Sequence, residues 1–180
     1  GTITTGVLAL VLASNTVRNI SGDINGFVTL GDGTDLFVNT GTVGEDVEML
    51  GSNDVVTNFG IIAGNAELGE GNDRFHNIGP NAAVGGLIDG GGGNDTISGG
   101  TGNDVLFGGA GADVFVFKND FDQDRIVDFN ALDDDEDIDL SAVTSITNSN
   151  DLFANHISQV GANVEIDAGG WDLGQGDVDR

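Results

Sequence analysis

The chain has 180 residues, of which 30 are acidic and 5 are Lys or Arg, so its formal net charge is -25. This charge argues against nucleic acid and anionic membranes as partners, because both present negative groups that Lys and Arg would have to contact. The absence of cysteine excludes disulfides as a source of stability, and the 31 glycines together with 24 Asp favour tight turns over helices.

The first apolar run covers residues 7–13. It is too short to span a bilayer, and no basic residue precedes it as in a signal peptide. We therefore expect a buried first strand and no membrane insertion. The chain starts with Gly1 rather than Met, which is consistent with an excised fragment of a longer protein.

A 19-residue repeat runs from residue 30 to about residue 89. Residues 30–38 (LGDGTDLFV), 50–57 (LGSNDVVT) and 68–76 (LGEGNDRFH) share an Asp followed two positions later by an apolar residue. The aligned columns hold Asp35, Asp54 and Asp73; Phe37, Val56 and Phe75; Asn39, Asn58 and Asn77; and Gly41, Gly60 and Gly79. A weaker copy contains Asn15, Val17 and Asn19. Such regular spacing predicts a stack of similar coils rather than a disordered acidic chain.

From residue 90 the period halves. Residues 90–98 (GGGGNDTIS), 99–107 (GGTGNDVLF) and 108–116 (GGAGADVFV) are consecutive matches to GGxGxDxUx, where U is a large apolar residue. They resemble the RTX, or hemolysin-type, calcium-binding repeat family. The resemblance implies an all-β fold, a parallel β-roll or β-solenoid with coils of about 18–20 residues. We assign residues 1–116 to the solenoid and residues 117–180 to a C-terminal capping segment of the same domain.

Each nonapeptide is interpreted as a six-residue turn followed by a three-residue strand whose middle side chain points inward. A narrow apolar core then forms by stacking of Ile97, Leu106 and Phe115 with Phe37, Val56 and Phe75.

The turns are predicted to bind calcium between coils. Stacked coils lie about 4.8 Å apart, and calcium takes oxygen ligands at roughly 2.3–2.6 Å, so one ion can contact glycine carbonyls and Asp carboxylates of two coils. The predicted ligands of about five Ca²⁺ ions are Gly31, Gly33, Asp35, Gly51, Asp54, Gly69, Gly71, Asp73, Gly91, Gly93, Asp95, Gly100, Gly102, Asp104, Gly109, Gly111, Asp113, Asp122 and Asp124. Magnesium is the second choice, because it demands a more compact octahedral site. Zinc is disfavoured because His76 and His156 stand alone.

The predicted bridging pairs are the turns of Asp35 with Asp54, Asp54 with Asp73, Asp73 with Asp95, and Asp95 with Asp113. Asp104 lies on the opposite edge and requires partners from a less regular segment. The Asp54 turn (GSND) is interpreted as one residue short, and the 22-residue step from Asp73 to Asp95 implies a bulged loop near Pro80. Without ions the stacked carboxylates repel one another, so the chain is expected to fold only on binding calcium.

In the segment that follows the repeats, acidic residues alternate with apolar ones. Residues 124–129 (DRIVDF) and 137–141 (DIDLS) resemble the segment that follows the repeats in serralysin-like and alginate-epimerase RTX modules. That resemblance implies a cap over the end of the roll, with apolar contacts from Ile126, Val127, Phe129, Ile138 and Leu140. Two interpretations, completion of the last ion sites or a solvated acidic loop, are open for Asp120, Asp122, Asp124 and Asp128. Residues 164–167 alternate like a strand, Trp171 is expected to pack on the cap, and the ending GQGDVDR does not resemble an export signal.

No catalytic constellation stands out. The sequence has no nucleophile elbow, HExxH or phosphate loop, and His76 falls in an outward strand column, so the chain itself is not expected to be an enzyme. The RTX resemblance implies a secreted bacterial protein, exported by type I secretion machinery, in which this chain is a stabilising and export module. The alternatives are a calcium-rigidified surface adhesin or extender, and the non-catalytic module of a secreted hydrolase or epimerase, with a fused catalytic or adhesive domain as partner. Ice binding is disfavoured because Asp32, Glu70 and Gly92 interrupt the Thr column that an ice-binding face would need.

Overall fold

The computed structural model describes residues 8–9, 14–20, 22–119, 121–129, 136–147, 152, 156–161 and 163–167. Within them lie the strands β1 (Leu8–Ala9), β2 (Thr16–Asn19), β3 (Asp23–Ile24), β4 (Val28–Thr29), β5 (Leu36–Asn39), β6 (Thr42–Val43), β7 (Val47–Glu48), β8 (Val55–Asn58), β9 (Ile61–Ile62), β10 (Ala66–Glu67), β11 (Arg74–Asn77), β12 (Ala83–Val84), β13 (Leu87–Gly92), β14 (Thr96–Ser98), β15 (Val105–Ala110), β16 (Val114–Lys118), β17 (Gln123–Ile126), β18 (Asp137–Ala142), β19 (Ile157–Val160) and β20 (Asn163–Asp167). No helix in this part of the chain is long and apolar enough to cross a membrane.

The strands stack into three sheets, and the predicted all-β parallel solenoid is confirmed. The front sheet has the order β1-β4-β7-β10-β13-β15-β17-β20-β19, the back sheet β18-β16-β14-β11-β8-β5-β2, and the side sheet β12-β9-β6-β3. Among the described strands only β20 pairs antiparallel, with β17 and with β19.

The coils change shape along the axis. Each upstream coil has one strand on every face, as in β5, β6 and β7, so its cross-section has three sides. From β13 onward the side sheet ends, and each coil consists of two halves that contribute one front and one back strand. The change follows from the nonapeptides, because a six-residue turn and a three-residue strand leave no residues for a third face.

The core consists of inward-facing columns with one residue per coil. In the back sheet Phe37, Val56, Phe75, Ile97 and Phe115 are consecutive register partners, and all are fully buried. The predicted core position of Leu106 is confirmed, because Leu106 is fully buried in the same cluster. Leu106 lies in the front sheet, paired with Ile88 and Ile126, because alternate nonapeptides contribute strands to opposite sheets.

Buried asparagines line the corner between the back and side sheets. Asn19, Asn39 and Asn58 each donate from Nδ2 to Oδ1 of the Asn in the next coil, at 2.8 Å. Asn77 ends the ladder by donating to the Gly99 carbonyl at 2.7 Å. An amide suits this position because it is both donor and acceptor, so identical side chains satisfy one another at the coil spacing.

The 22-residue step from Asp73 to Asp95 is explained by extra residues at one place in the coil. Asn77 pairs with Asn58, 19 residues earlier, whereas Ala83 pairs with Ile61, 22 residues earlier. Three extra residues therefore lie between Asn77 and Ala83, where Pro80 is exposed. The predicted bulged loop near Pro80 is confirmed.

The segment after Val116 starts as another coil. β17 pairs in parallel with β15, and β18 in parallel with β16. Ile126 is fully buried, while Phe129, Ile138 and Leu140 pack partly buried against the core. The predicted strand at residues 164–167 lies within β20, which with β19 closes the front sheet. Trp171 and Asp120 lie outside the described residues, and the domain boundaries stay a prediction.

Candidate metal centre

A ladder of Asp side chains runs along one edge of the solenoid. The backbone amides of Asp35 and Asp54 each donate to Oδ1 of the Asp in the next coil at 2.7 Å. Asp73 donates in the same way to Asp95 at 2.8 Å, and Asp95 to Asp113 at 2.9 Å. The turns predicted to form pairs are therefore direct neighbours in the stack.

The second oxygen of each carboxylate has no protein partner. Oδ2 of Asp35, Asp54, Asp73, Asp95 and Asp113 is buried and accepts no hydrogen bond. A buried carboxylate oxygen without a partner is strongly destabilising as an anion, and a cation is the partner that compensates it. The same arrangement in five successive coils marks a repeated structural feature.

Within the described part of the chain, the opposite edge has one pair of stacked Asp of the same kind. Asp104 donates its amide to Oδ1 of Asp124 at 2.8 Å, and Oδ2 of both residues is buried without a partner. Gly102 donates its amide to Oδ2 of Asp122 at 3.2 Å. The turn ending at Asp124 thus stacks on the turn ending at Asp104, which identifies the partner segment that sequence reasoning had only described as less regular.

Residues 88–123 match the RTX calcium-binding nonapeptide repeat, in four copies. This chain contains RTX repeats. No curated protein and no solved structure matches the chain. RTX repeats are a non-catalytic family that binds Ca²⁺. The similarity of residues 124–141 to serralysin and alginate-epimerase modules stays a prediction.

The fourth RTX turn lacks the glycine signature. Asp122, with φ 56°, occupies the position that Gly102 holds with φ 102° in the preceding turn of this edge. Asp tolerates the left-handed region better than most residues, because its short side chain can bond locally. The signal available in the sequence was the 20-residue spacing from Asp104 to Asp124.

The Asp54 turn has full length, so the prediction of a missing residue is wrong. Gly51 pairs with Glu70, the middle residue of the next turn. Leu50 (φ 72°) and Ser52 (φ 78°) hold the positive-φ positions that Gly69 (φ 95°) and Gly71 (φ 149°) hold one coil later. Gly51 is therefore displaced by one residue from the positions of the other predicted ligand glycines.

Most of the other predicted ligand glycines adopt the left-handed backbone. Positive φ is found at Gly31, Gly69, Gly71, Gly91, Gly93, Gly100, Gly102, Gly109 and Gly111. Their recurrence in successive coils gives the turns a similar backbone conformation along both edges.

Burial raises the pKa of five buried turn carboxyls on the two edges, those of Asp54, Asp73, Asp95, Asp104 and Asp124. The pKa is raised to about 7 for Asp54, Asp95 and Asp104, to about 6 for Asp73 and to about 8 for Asp124. Desolvation is the largest cause in each case, and for all but Asp104 the backbone amide bonded to the carboxylate opposes it. Without a cation these groups bind protons near neutral pH.

The donor set fits a hard cation. Among the described residues no three His, Cys, Asp or Glu side chains converge on one point. Each pair of stacked turns offers two ladder Asp, so a cation there needs further oxygen ligands, such as main-chain carbonyls or water. Carboxylate and carbonyl oxygens in a flexible arrangement suit Ca²⁺ better than Mg²⁺ or Zn²⁺.

Asp128 contacts the turn that ends at Asp113, whose carboxyl has a pKa raised by burial and by the Asp128 charge. Both oxygens of Asp128 accept backbone amides, from Gly108 at 3.0 Å and Gly109 at 2.7 Å. Asp128 therefore ties down an RTX turn, which differs from both roles considered for it. His76 is half-buried on the outer side of the back sheet, and His156 is buried.

Proposed function

We propose that this chain is a calcium-dependent folding module of a secreted bacterial protein, in which ions bound between successive RTX turns hold the coils together. The supporting observation is the buried, unpartnered Oδ2 of the ladder Asp residues. Each of these carboxylates already bonds the neighbouring coil through Oδ1, so a cation on Oδ2 completes its coordination.

The register of the turns supports about five ions. Four lie between consecutive turns of the Asp35, Asp54, Asp73, Asp95 and Asp113 edge. The fifth lies between the turns of Asp104 and Asp124 on the other edge. Their ligands are the ladder Asp residues and the carbonyls of the adjoining turn glycines, with Leu50 and Ser52 taking the glycine positions in the Asp54 turn.

Binding calcium then becomes part of folding. Five ions of charge +2 change the net charge from -25 to about -15 and remove the repulsion between stacked carboxylates. Extracellular calcium modules work at about 10⁻⁴–10⁻³ M, far above cytosolic calcium. The chain would stay unfolded before export by type I secretion machinery and fold outside the cell, where it stabilises the protein that carries it.

A calcium titration followed by circular dichroism tests this proposal. In excess chelator the β signal should be largely absent, and it should appear cooperatively with calcium while equal magnesium has a much smaller effect. Isothermal titration should give about five bound ions. A full β signal in excess chelator would overturn the proposal.

A further inference from the structure

The outer side of the back sheet has an unusual charge for this chain. The outward positions of β2, β5, β8, β11, β14 and β16 include no Asp or Glu, although 30 of the 180 residues are acidic. Arg18, Arg74, His76 and Lys118 lie there instead, between Val, Leu, Thr and Ser side chains. We call this surface, defined by these four residues, the cationic face.

Three of these groups act on one another. Burial lowers the pKa of His76, and the charges of Arg74 and Lys118 lower it further. Arg74 and His76 lie two residues apart on the same side of β11, and Lys118 belongs to β16, two strands further along the sheet. Arg74 and Lys118 are exposed, and neither forms a salt bridge within the described residues. Asp137 and Asp139 of β18, the strand that ends this sheet, pair with the outward residues Val114 and Val116, so these carboxylates border the cationic face beyond β16. Positive charges gathered on one surface without salt bridges, in a protein rich in carboxylates, indicate a surface that meets an external anionic group.

The front sheet carries a row of carboxylates on its outer side from β7 to β13. Glu48, Glu67 and Asp89 are register partners in consecutive coils, on its outer side. Thr29 donates to Oε2 of Glu48 at 3.0 Å, and Oδ1 of Asp89 is buried without a partner. We call this surface, defined by the three carboxylates, the acidic face. Its side chains repel one another, because parallel register repeats them at the strand spacing of about 4.8 Å.

The cationic face and the acidic face lie at the same level along the solenoid axis, and their residues repeat with the same strand spacing. Arg74 and His76 belong to the same coil as Asp89, and only the Asp73 turn separates Arg74 from Glu67. The faces lie on opposite sides of the core, since the front and back sheets pack against each other through their inner columns. A second copy placed alongside, with its axis parallel, brings its acidic face against the cationic face at the same level and with the same spacing.

We propose that copies of this chain associate side by side, the cationic face of one on the acidic face of the next. Because two different surfaces meet, the contact is heterologous and leaves one free face of each kind, so association continues beyond a dimer. The net negative charge opposes long-range approach, but at physiological salt it is screened beyond about 8 Å, whereas charges in contact are not.

The test uses folded protein in saturating calcium, with the fold checked by circular dichroism. Sedimentation velocity over a range of concentrations should show wild-type mass that rises above a dimer and falls at high salt. The variants Arg74→Glu and Glu67→Arg each disable one face, and each alone should weaken self-association at least about tenfold. Asp23→Arg and Ala83→Glu make similar charge changes on the exposed side sheet and should leave association unchanged.

Mixing the two variants gives the sharpest result. Arg74→Glu keeps its acidic face and Glu67→Arg keeps its cationic face, so an equimolar mixture should form heterodimers and stop there. A folded wild-type protein that stays monomeric at every concentration, or a mixture that fails to pair, overturns the proposal and leaves calcium-dependent folding untouched. A monomer whose cationic face binds polygalacturonate, with binding lost in Arg74→Glu, would assign that face to an anionic polymer instead and also overturn it.

Discussion

The backbone amide of Asp73 donates to Oδ1 of Asp95, 2.8 Å away in the next coil, while Oδ2 of Asp95 is buried with no hydrogen-bond partner. One carboxylate therefore joins two coils through a hydrogen bond and still has a free oxygen for an ion. The hydrogen bond alone does not offset the burial of the charge, since the pKa of Asp95 is raised to about 7. The stack is consequently incomplete until a cation binds.

Replacing Asp95 by Asn should separate these two roles. The amide side chain keeps an oxygen for the Asp73 backbone N–H but loses the charged ligand of the two ions that this turn shares with its neighbours. We expect about two fewer ions and a calcium midpoint of folding raised roughly tenfold, measured by isothermal titration and circular dichroism. Asp32→Asn is the matched control, because Asp32 is exposed in an equivalent turn. An unchanged midpoint in Asp95→Asn would contradict the assignment.

The raised pKa values predict how folding depends on pH. In the ion-free fold the carboxyls of Asp54, Asp95 and Asp124 titrate at about 7 to 8, against 3.8 when unperturbed. Between these values the folded state binds more protons than the unfolded state, so ion-free stability is highest at low pH and is lost as pH rises through 7 to 8.

In chelator, lowering the pH from 7.5 to 5 should therefore increase the β signal. With calcium present, the same change should shift the folding midpoint to higher calcium, because protons compete for the ligand oxygens. Work at pH 5 stays above the sequence pI of about 4.1, and sedimentation should verify that the protein is not aggregated. A β signal in chelator that is the same at both pH values would argue against buried ladder carboxyls.

The repeat columns could be predicted from the sequence because they depend on spacing alone. A constant step from Asp35 to Asp73 is sufficient to place those residues on one edge and Phe37 and Phe75 in one core column. The side sheet could not be predicted, because two-residue strands such as β6 and β9 show no periodicity.

Two features of the site do not follow from the glycine motif, for different physical reasons. In the Asp54 turn the sequence motif places Gly51 at a ligand-glycine position, although the positive-φ backbone conformation of that position is adopted by Leu50 and Ser52. The sequence predicts Asp122 and Asp124 as ligands, but their turn does not match the motif because Asp122 occupies the glycine position. Positive φ is a property of a position in the coil, and the residue at that position only favours or opposes it.

The buried Asn ladder should contribute strongly to stability. Asn58 is fully buried and donates to Oδ1 of Asn77 at 2.8 Å, so Asn58→Ala leaves that oxygen without its donor. We expect a loss of about 2–4 kcal/mol in the free energy of unfolding, measured by urea unfolding in saturating calcium. Asn53→Ala removes a similar bond, to the amide of Asn72 at 2.8 Å, but at an exposed position. It should cost less than about 1 kcal/mol, and equal losses would refute the importance of burial here.

Two glycines with similar backbones allow the contact between RTX turns to be isolated. Gly91 (φ 93°) and Gly102 (φ 102°) both adopt the left-handed region, so Ala at either costs about 1–2 kcal/mol in backbone strain. A Cβ at position 91 would also collide with the Gly69 carbonyl oxygen of the preceding coil, whereas one at position 102 meets nothing within 4 Å. Gly91→Ala should therefore raise the calcium midpoint far more than Gly102→Ala, or prevent folding altogether. If the two variants fold at the same calcium concentration with the same stability, glycine is not required at position 91 for close stacking of the turns.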